Sequence, residues 1–426
     1  METPPVFKSK RQEKIWLNQK RFNENKKKDQ KTYVNQAPFR YCERNFKSKV
    51  PPPDFTNVID FKKQTHNTIE NQDRIVSVEL KHDLADLSSL FGTSTRQAYV
   101  LKNIPGLIVI PNAFAPEQQR YLIKQCLLKY PQAPNTSNLH THYEIPSQGI
   151  WPLFEQQRNG KLNEADPDFY VQKKKIDSQD ASTYSDSEEE EEEEEEEVMA
   201  CSSVTACSDD FSPIIDGPKI DPPPAPGVPL LSPSELIRKL RWVTLGYQYH
   251  WPTKTYHLDR RYPFPEDVSE LTRAVVTAVE GIGYQDKWRN TYKGEDYKAE
   301  AGVVNYYQYR DALMGHVDRS ELNMDAPLVS LSLGSSCIYV IGGETRDTEP
   351  AALYLRSGDM VVMTGPCRRV FHGVPLIIED SLPDYLSTSN NNNNNDDDDY
   401  KLYSEFMKTA RINLNIRQVN TINNTD

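Results

Sequence analysis

Residues 301–318, AGVVNYYQYRDALMGHVD, join a β-strand pattern to a candidate metal-binding motif. The motif is His316-Val317-Asp318, and a second histidine, His372, follows 54 residues after Asp318. Two histidines and one carboxylate that leave coordination positions open form the ligand set of non-haem Fe(II) oxygenases. His316, Asp318 and His372 are therefore candidate iron ligands.

The motif His-x-Asp is a weak signal by itself, because His257-Leu258-Asp259 in the same chain also matches it. Either match taken alone is more often a hydrogen-bonded loop histidine. The sequence that surrounds each motif distinguishes the two matches. Asn305 and Tyr307 are two residues apart in the strand pattern before His316, so both side chains project from one face toward the same space.

A second informative pattern lies near the C-terminus, in Arg411-Ile412-Asn413-Leu414-Asn415-Ile416-Arg417. Polar and apolar residues alternate there, which predicts a strand with both arginines and both asparagines on one face and the aliphatic residues in the core. Arg411 and Arg417 are separated by roughly 20 Å along a strand, but inward-leaning side chains could still converge on a small dianion. The alternative is an exposed face with solvated arginines, which the nearby candidate metal site disfavours.

The ordered part of the sequence predicts an α+β fold. Ser232 and Glu235 form a capping box around Pro233, which predicts a helix through Leu240. A second helix is predicted from Pro265 to Val279, and short β-rich segments with glycine turns follow it. Such short strands indicate an antiparallel sandwich or roll.

Charge is distributed unevenly along the 426-residue chain, whose formal net charge is −12. Ten glutamates at 188–197 and four aspartates at 396–399 account for the acidic total. The first fifty residues carry 14 Lys and Arg against five Asp and Glu. Because clustered basic residues supply phosphate contacts, the basic N-terminal segment favours a nucleic-acid partner despite the acidic total.

Composition also divides the chain into ordered and disordered segments. The prediction is a basic, largely flexible arm at 1–95, ordered regions at 96–172 and 231–420, a disordered acidic and proline-rich insertion at 173–230, and a disordered loop at 381–400.

Neither a membrane span nor a disulfide framework is predicted. No stretch approaches the roughly 20 consecutive apolar residues that a membrane-spanning helix needs. The six cysteines form no CxxC pair and the N-terminus has no hydrophobic signal-peptide core, which predicts an intracellular protein with reduced thiols. The basic N-terminus is compatible with the nucleus or the mitochondrion, and the cytoplasm stays open.

From Ala98 onward the sequence resembles the AlkB dioxygenases, and most closely the eukaryotic AlkB homolog 1 branch. The resemblance rests on separate motifs, and the arm and both acidic segments lie outside it. The matching sequences are RWVTLGYQYHW (241–251), AGVVNYY (301–307), GHVDRSEL (315–322), PLVSLSLG (327–334), IGG (341–343), SGD (357–359), HGVP (372–375) and TARINLNIRQV (409–419).

The resemblance implies a double-stranded β-helix, or jelly-roll, core with flanking helices, and an enzyme that uses Fe(II), 2-oxoglutarate and O2. His316, Asp318 and His372 would hold the iron, which makes Asp318 a catalytic residue as well. Arg411 would pair with the distal carboxylate of 2-oxoglutarate in a bidentate contact that lysine would not reproduce. Further cosubstrate contacts would come from Tyr307 and Asn413 beside Arg411, and from Asn305 and Arg417 at the keto-acid end.

For the substrate, the resemblance implies a modified base in nucleic acid whose methyl group is oxidised, with formaldehyde lost from a hydroxymethyl product. Proteins hold extruded or single-stranded bases by aromatic stacking beside basic residues. Ser320 replaces an acidic residue of bacterial AlkB, so the bacterial substrate range is not transferred. The predicted substrate-binding residues are Trp242, Tyr247, Tyr249 and Arg346.

The favoured function is therefore oxidative demethylation or methyl oxidation of tRNA or single-stranded DNA, in repair or modification. One alternative keeps the chemistry but acts on a histone or another protein methyl-lysine. The other alternative is a non-catalytic nucleic-acid-binding adaptor, which the complete ligand set disfavours.

Overall fold

The computed structural model describes residues 36–174, 219–387 and 395–421. Residues 1–35 of the predicted basic arm, the acidic run at 188–197 and residues 388–394 of the predicted loop lie outside these ranges. Among the described helices, none is both long enough and apolar enough to cross a membrane.

Most strands of the described residues are short, like the β-rich segments that the sequence predicts. The strands are β1 (Ile75–Glu79), β2 (Gln97–Leu101), β3 (Ile104–Ile110), β4 (Thr136–Ser137), β5 (Trp242–His250), β6 (Thr255–Arg261), β7 (Gly283–Tyr284), β8 (Trp288–Arg289), β9 (Ala301–Gln308), β10 (Leu313–His316), β11 (Leu328–Gly334), β12 (Cys337–Ile341), β13 (Ala351–Leu355), β14 (Met360–Met363), β15 (His372–Ile377) and β16 (Ala410–Arg417).

The helices include both that the sequence predicts. The first of these begins with the predicted capping box, in which the Ser232 N–H donates to Glu235 Oε2 at 2.9 Å. The α-helices are α1 (Pro38–Lys47), α2 (Ile69–Arg74), α3 (Leu84–Leu87), α4 (Pro116–Lys124), α5 (Trp151–Arg158), α6 (Pro233–Lys239), α7 (Glu266–Ala278) and α8 (Asn395–Met407).

Two antiparallel sheets form a jelly-roll, so the predicted fold class is confirmed. The large sheet has the strand order β1-β2-β3-β14-β11-β16-β9-β5-β4, with β6 paired to β5 outside this path. The small sheet has the order β10-β15-β12-β13. A separate two-stranded sheet joins β7 and β8.

The two faces of the large sheet have different roles, because side chains alternate along each strand. Ile412, Leu414 and Ile416 of β16 lie in the main hydrophobic core, which also contains Leu271 and Val275 of α7. The opposite face of the large sheet shares a second hydrophobic cluster with the small sheet. The polar residues of β16 alternate with the aliphatic ones and therefore face the space between the sheets.

Order begins earlier than the predicted boundary at residue 96. Residues 36–95 contain three α-helices and β1, and α1 packs on the outer face of the small sheet. Phe39 and Phe46 are buried there beside Val340 of β12. Phe39, Cys42 and Phe46 follow helical spacing, but a stripe of three residues in a strongly charged segment gives a weak periodic signal.

The predicted disordered segments are also ordered in part. Residues 219–230 lie along the domain, where Lys219 Nζ donates to the Tyr256 carbonyl and Lys173 Nζ to the Val228 carbonyl, at 2.8 and 2.9 Å. Helix α8 begins inside the predicted loop at 381–400. Its aromatic residues recur at helical spacing and are buried, and that burial supplies the stability that the Asn and Asp run lacks.

Candidate active site

The pairing of β10 with β15 brings two candidate ligands together. His316 ends β10 and His372 begins β15, and the antiparallel register places them opposite each other. The strands approach closely at Gly373, where a Cβ atom would lie 2.8 Å from the carbonyl oxygen of Leu313. A glycine is therefore required at 373 for this pairing.

His316, Asp318 and His372 form one compact cluster, the metal group. His372 Nε2 lies 3.5 Å from Asp318 Oδ2, and His316 Nε2 lies 3.8 Å from Asp318 Oδ1. The other ring nitrogens are occupied, since His316 Nδ1 bonds the Met314 carbonyl at 2.9 Å and His372 Nδ1 the Val370 carbonyl at 3.3 Å. Because a carbonyl only accepts, Nδ1 carries the proton and both Nε2 lone pairs face the carboxylate.

The charge states of the metal group suit a metal ion. Burial lowers the pKa of His316 to about 4, and His372, with its ring centroid 4.5 Å away, adds to this effect. Burial alone would raise the pKa of Asp318, but Arg417 and the two imidazoles outweigh it and hold that pKa well below its usual range. Neutral imidazoles and an ionised carboxylate are the forms that bind metals.

The donor set also fits an iron ion. Asp318 Oδ2 is buried and accepts no aligned hydrogen bond from any described residue, although Arg417 Nη2 lies 2.9 Å away. A buried carboxylate oxygen in this state has capacity left for a ligand. Two imidazole nitrogens and one carboxylate are the protein ligands of the non-haem Fe(II) facial triad.

A buried ionic network supports Asp318. Arg417 Nε lies 3.3 Å from Glu321 Oε1, and Arg368 Nη2 lies 3.0 Å from Glu321 Oε2. Arg368 Nη1 also donates to the Asp318 backbone carbonyl at 3.3 Å, and the Tyr256 hydroxyl donates to Glu321 Oε1 at 2.8 Å. Because Arg368 lies in the turn that leads into β15, the network joins the two segments that carry the metal group.

Sequence reasoning missed three members of this network: Glu321, Arg368 and Tyr256. Glu321 lies within the GHVDRSEL motif and Arg368 lies four residues before His372. Proximity in sequence to the motif is the signal that could have found the first two. Tyr256 offers no such signal, because only the β5–β6 pairing brings it to Glu321.

The candidate cosubstrate residue Arg411 is buried between the sheets. Its Nη2 donates to Ser332 Oγ at 2.6 Å and its Nη1 to the Ser335 carbonyl at 3.0 Å, while its Nε has no hydrogen-bond partner within the described ranges. Tyr307 lies directly opposite Arg411 in the β9–β16 register. Burial raises the pKa of Tyr307, and the positive charge of Arg411 opposes that rise. A buried guanidinium with a donor to spare beside a phenol suits a carboxylate.

The other candidate cosubstrate residues follow the same face. Asn305 of β9 lies between Trp242 of β5 and Asn413 of β16, so the three form a row across neighbouring strands. Asn413 Nδ2 donates to Ser330 Oγ at 2.7 Å. Arg417 lies at the far end of β16 and contacts the metal group instead, so the two arginines of this strand have separate contacts.

Aromatic side chains lie beside the metal group. The ring centroids of Trp242 and Trp251 are 4.9 Å apart, and Tyr249 packs edge-on against Trp251 at the same distance. The Tyr249 hydroxyl is 3.1 Å from Ser320 Oγ, two residues after Asp318. These three rings, the aromatic group, provide planar apolar surface of the kind on which bases stack.

Two predicted substrate residues have different surroundings. Tyr247 packs against the same small hydrophobic cluster as Tyr249, but the Arg261 guanidinium covers its ring at 5.1 Å from the centroid. Arg346 donates from Nη2 to the Gly315 carbonyl at 2.9 Å, on the side of the small sheet that α1 covers. These contacts place Arg346 beside α1 and beside the backbone that precedes His316.

His257 of the second His-x-Asp match belongs to another cluster, the hairpin cluster of Asp221, His250 and His257, whose carboxylate is Asp221 and not the Asp259 of the motif. The two imidazole centroids are 5.1 Å apart. Arg260 Nη1 binds Asp221 Oδ2 at 2.8 Å, and both ring nitrogens of His250 are hydrogen bonded, to a threonine hydroxyl at 2.8 Å and a backbone carbonyl at 3.0 Å. The exposed carboxylate of Asp221 and the occupied ring nitrogens of His250 make this a poorer cation site.

A jelly-roll whose two sheets enclose a His2Asp group and a buried arginine has the architecture of a non-haem iron oxygenase. Residues 219–417 match the family model of the 2OG-Fe(II) oxygenase superfamily. The protein is thus a 2-oxoglutarate-dependent dioxygenase, a class that uses Fe(II), 2-oxoglutarate and O2.

Sequence similarity to known proteins over most of the chain identifies the family within this class of dioxygenases. Human nucleic acid dioxygenase ALKBH1 is 30% identical over 91% of this chain and 85% of its own length. The tRNA demethylase abh1 of Schizosaccharomyces pombe is 32% identical over 76% and 82%, and the Arabidopsis thaliana DNA N(6)-methyladenine demethylase ALKBH1A is 29% identical over 88% and 90%. The solved structure of OsALKBH1 aligns with a TM-score of 0.31 at 24% identity, over 42% of this chain and 77% of that one. By its sequence similarity the chain belongs to the AlkB homolog 1 family.

Proposed function

We propose that this protein oxidises methyl groups on modified bases of tRNA or single-stranded DNA. The observation that carries the proposal is the contact between Tyr249 and Ser320, because it holds the aromatic group next to the metal group. A base stacked on these rings would lie with its methyl group toward the metal. The basic residues Lys254 and Arg261 on the β5–β6 hairpin add positive charge for the phosphates.

In this proposal His316, Asp318 and His372 hold the iron, and Arg411 holds the distal carboxylate of 2-oxoglutarate. When bound, these reactants supply the oxidation: one atom of O2 enters the methyl group, and the other enters succinate as CO2 is lost. A hydroxymethyl group on a base nitrogen then breaks its N–C bond and leaves as formaldehyde. The remaining cosubstrate contacts would come from Tyr307, Asn413, Asn305 and Arg417.

The relatives support the same class of substrate. The human relative is named as a nucleic acid dioxygenase, the S. pombe relative as a tRNA demethylase and the A. thaliana relative as a DNA N(6)-methyladenine demethylase. All three names refer to nucleic acid, but they differ in which polymer they specify. We therefore propose nucleic acid as the substrate class, with tRNA and single-stranded DNA as the polymers to test.

Turnover on a matched panel tests the substrate class. Formaldehyde and succinate are measured with methylated tRNA, single-stranded DNA containing N6-methyladenine, and a histone methyl-lysine peptide, each beside its unmethylated form. We expect methyl-dependent formaldehyde from at least one nucleic acid and background levels from the peptide. Methyl-dependent turnover of the peptide alone would overturn the proposal in favour of a protein demethylase.

A substitution in the aromatic group tests how the base is held. We expect Trp242→Ala to raise the KM for the nucleic acid about 5- to 150-fold, which corresponds to about 1–3 kcal/mol of base stacking. Tyr121→Ala is the matched control, since Tyr121 is a partly exposed aromatic residue on α4, at the opposite face of the large sheet. Equal KM values for Trp242→Ala and wild type would show that the base binds elsewhere.

A further inference from the structure

Strand β10, which ends in His316, lies at the edge of the small sheet. It pairs with β15 and with no other strand of the described residues, and an edge strand presents backbone groups without a neighbour. At Gly315 two side chains occupy this edge. The Gly315 N–H donates to Glu43 Oε1, and its carbonyl accepts from Arg346 Nη2 at 2.9 Å. Glu43 and Arg346 thus take the place of a missing strand.

The pairing of β10 with β15 is irregular just before its end. Leu313 pairs with Val374 and His316 with His372, but the register shifts between these two pairs. Gly315 lies inside this irregular stretch, immediately before a candidate iron ligand. The direction of the His316 side chain therefore depends on what holds Gly315 from the other side as well as on the pairing of His316 with His372.

Packing alone does not explain a glutamate at position 43 of α1. Its side chain is fully buried, at 0% exposure, and its Oε2 atom has no hydrogen-bond partner in the described part of the chain. Arg40 Nη1 lies 3.6 Å from that oxygen. Burying an incompletely paired carboxylate destabilises the folded state. A hydrophobic residue would cover the sheet at lower cost, so coverage does not explain a carboxylate here.

The same helix also contacts the backbone of Arg346, the residue that supplies the second side chain. The Arg346 guanidinium lies 4.5 Å above the Phe371 ring, and the Arg346 carbonyl accepts the N–H of Phe39 in the first turn of α1 at 3.1 Å. A Cβ atom at position 315 would collide with the Phe39 ring. Helix α1 therefore packs directly on the backbone of Gly315.

We propose that Glu43 and Arg346 form a clamp on Gly315 that orients His316 and so sets the affinity of the metal group for iron. This proposal rests on the role of His316 as an iron ligand, which is part of the proposed function. It does not depend on which nucleic acid is the substrate. Glu43 and Arg346 are positioning residues in this scheme. Helix α1 becomes part of the enzyme's metal site although it lies outside the jelly-roll.

The test compares Glu43→Ala with Glu43→Gln in the full-length, metal-stripped protein. Glutamine keeps a side-chain oxygen that can accept the Gly315 N–H, and alanine does not. We expect Glu43→Ala to weaken Co²⁺ binding, measured by titration calorimetry, about 10- to 100-fold, the size found for outer-shell partners of metal ligands. Amide hydrogen exchange at residues 313–316 should become faster in the same variant. Glu43→Gln should recover most of the affinity.

Phe46→Ala is the control for a merely structural role, because Phe46 packs α1 against apolar residues of the small sheet and makes no hydrogen bond to Gly315. It should lower thermal stability and leave Co²⁺ affinity near that of wild type. Wild-type affinity in Glu43→Ala, or equal losses in Glu43→Ala and Phe46→Ala, would overturn the clamp. Unchanged Co²⁺ affinity in His316→Ala would instead overturn the iron assignment, so the two failures are distinguishable.

Discussion

The metal group and the hairpin cluster contain the same ligand types at similar separations, two histidines and one aspartate each. They differ in what surrounds the carboxylate. Both carboxylates pair with an arginine, but the Asp318 side chain is only 13% exposed, whereas the Asp221 side chain is 64% exposed. In the metal group a backbone carbonyl occupies Nδ1 of each ring and directs Nε2 inward. Ligand types and spacing therefore do not define a metal site until burial and hydrogen bonds fix their direction.

Removing one histidine from each cluster tests this contrast, and we expect the largest effect here. His316→Ala should abolish 2-oxoglutarate turnover and most Fe(II) binding, because the facial triad loses a ligand. His257→Ala should retain both. Succinate formation and anaerobic Fe(II) binding provide the measurements, with circular dichroism to show that each variant is folded.

Two outcomes would contradict the distinction between the metal group and the hairpin cluster. Wild-type-like succinate production from His316→Ala would disprove the assignment of His316 as an iron ligand. Loss of one metal equivalent in His257→Ala would make the hairpin cluster a metal site as well.

Breaking an ion pair near each cluster gives a second, smaller contrast. Arg368→Met removes the partner of buried Glu321, and we expect it to lower the free energy of unfolding by about 3–5 kcal/mol. Arg260→Met removes the partner of exposed Asp221, with an expected change of about 0–1 kcal/mol. Urea unfolding measures both. Equal losses would show that the network around Asp318 is no more important to the fold than a surface pair.

The dependence of stability on pH should show the smallest effect. The pKa of His316 is lowered to about 4, so between its ordinary value of 6.5 and pH 4 the unfolded chain binds a proton that the folded chain does not. The free energy of unfolding of the metal-free protein should therefore fall as pH falls through this window. The effect is moderate because the His316 side chain is 32% exposed.

Glutamine substitutions assign this pH dependence. His316→Gln should reduce the difference in urea midpoint between pH 7 and pH 5. His257→Gln should cause a smaller reduction of the same sign, since burial and Arg260 also lower the pKa of His257. A pH dependence unaffected by His316→Gln would mean that other groups control acid stability.

Much of this site could be predicted from sequence because its residues lie in regular patterns. Alternation in 411–417 predicts which side chains of β16 face the space between the sheets, and the spacing of His316 and Asp318 predicts two ligands. The assignments of iron and 2-oxoglutarate contacts to individual residues stay predictions. Arg346 shows the limit, because its neighbours come from an N-terminal helix more than 300 residues away in sequence.

The N-terminal and loop helices were harder to predict for a different reason. Helix α1 has a narrow apolar stripe, and α8 follows a run of Asn and Asp, so composition outweighs periodicity in both. Their stability comes from surfaces supplied by distant strands, as the burial of Phe39 and Tyr400 shows. Tertiary burial of this kind leaves little trace in local sequence.

The alternation along β16 also constrains how the chain folds. A slip of one residue in the pairing of β16 would turn Arg411 and Arg417 into the apolar core and expose Ile412 and Ile416 between the sheets. Two uncompensated guanidinium groups in that core would make every such misaligned form unstable. Correct registration of β16 and the placement of its two arginines between the sheets are therefore coupled.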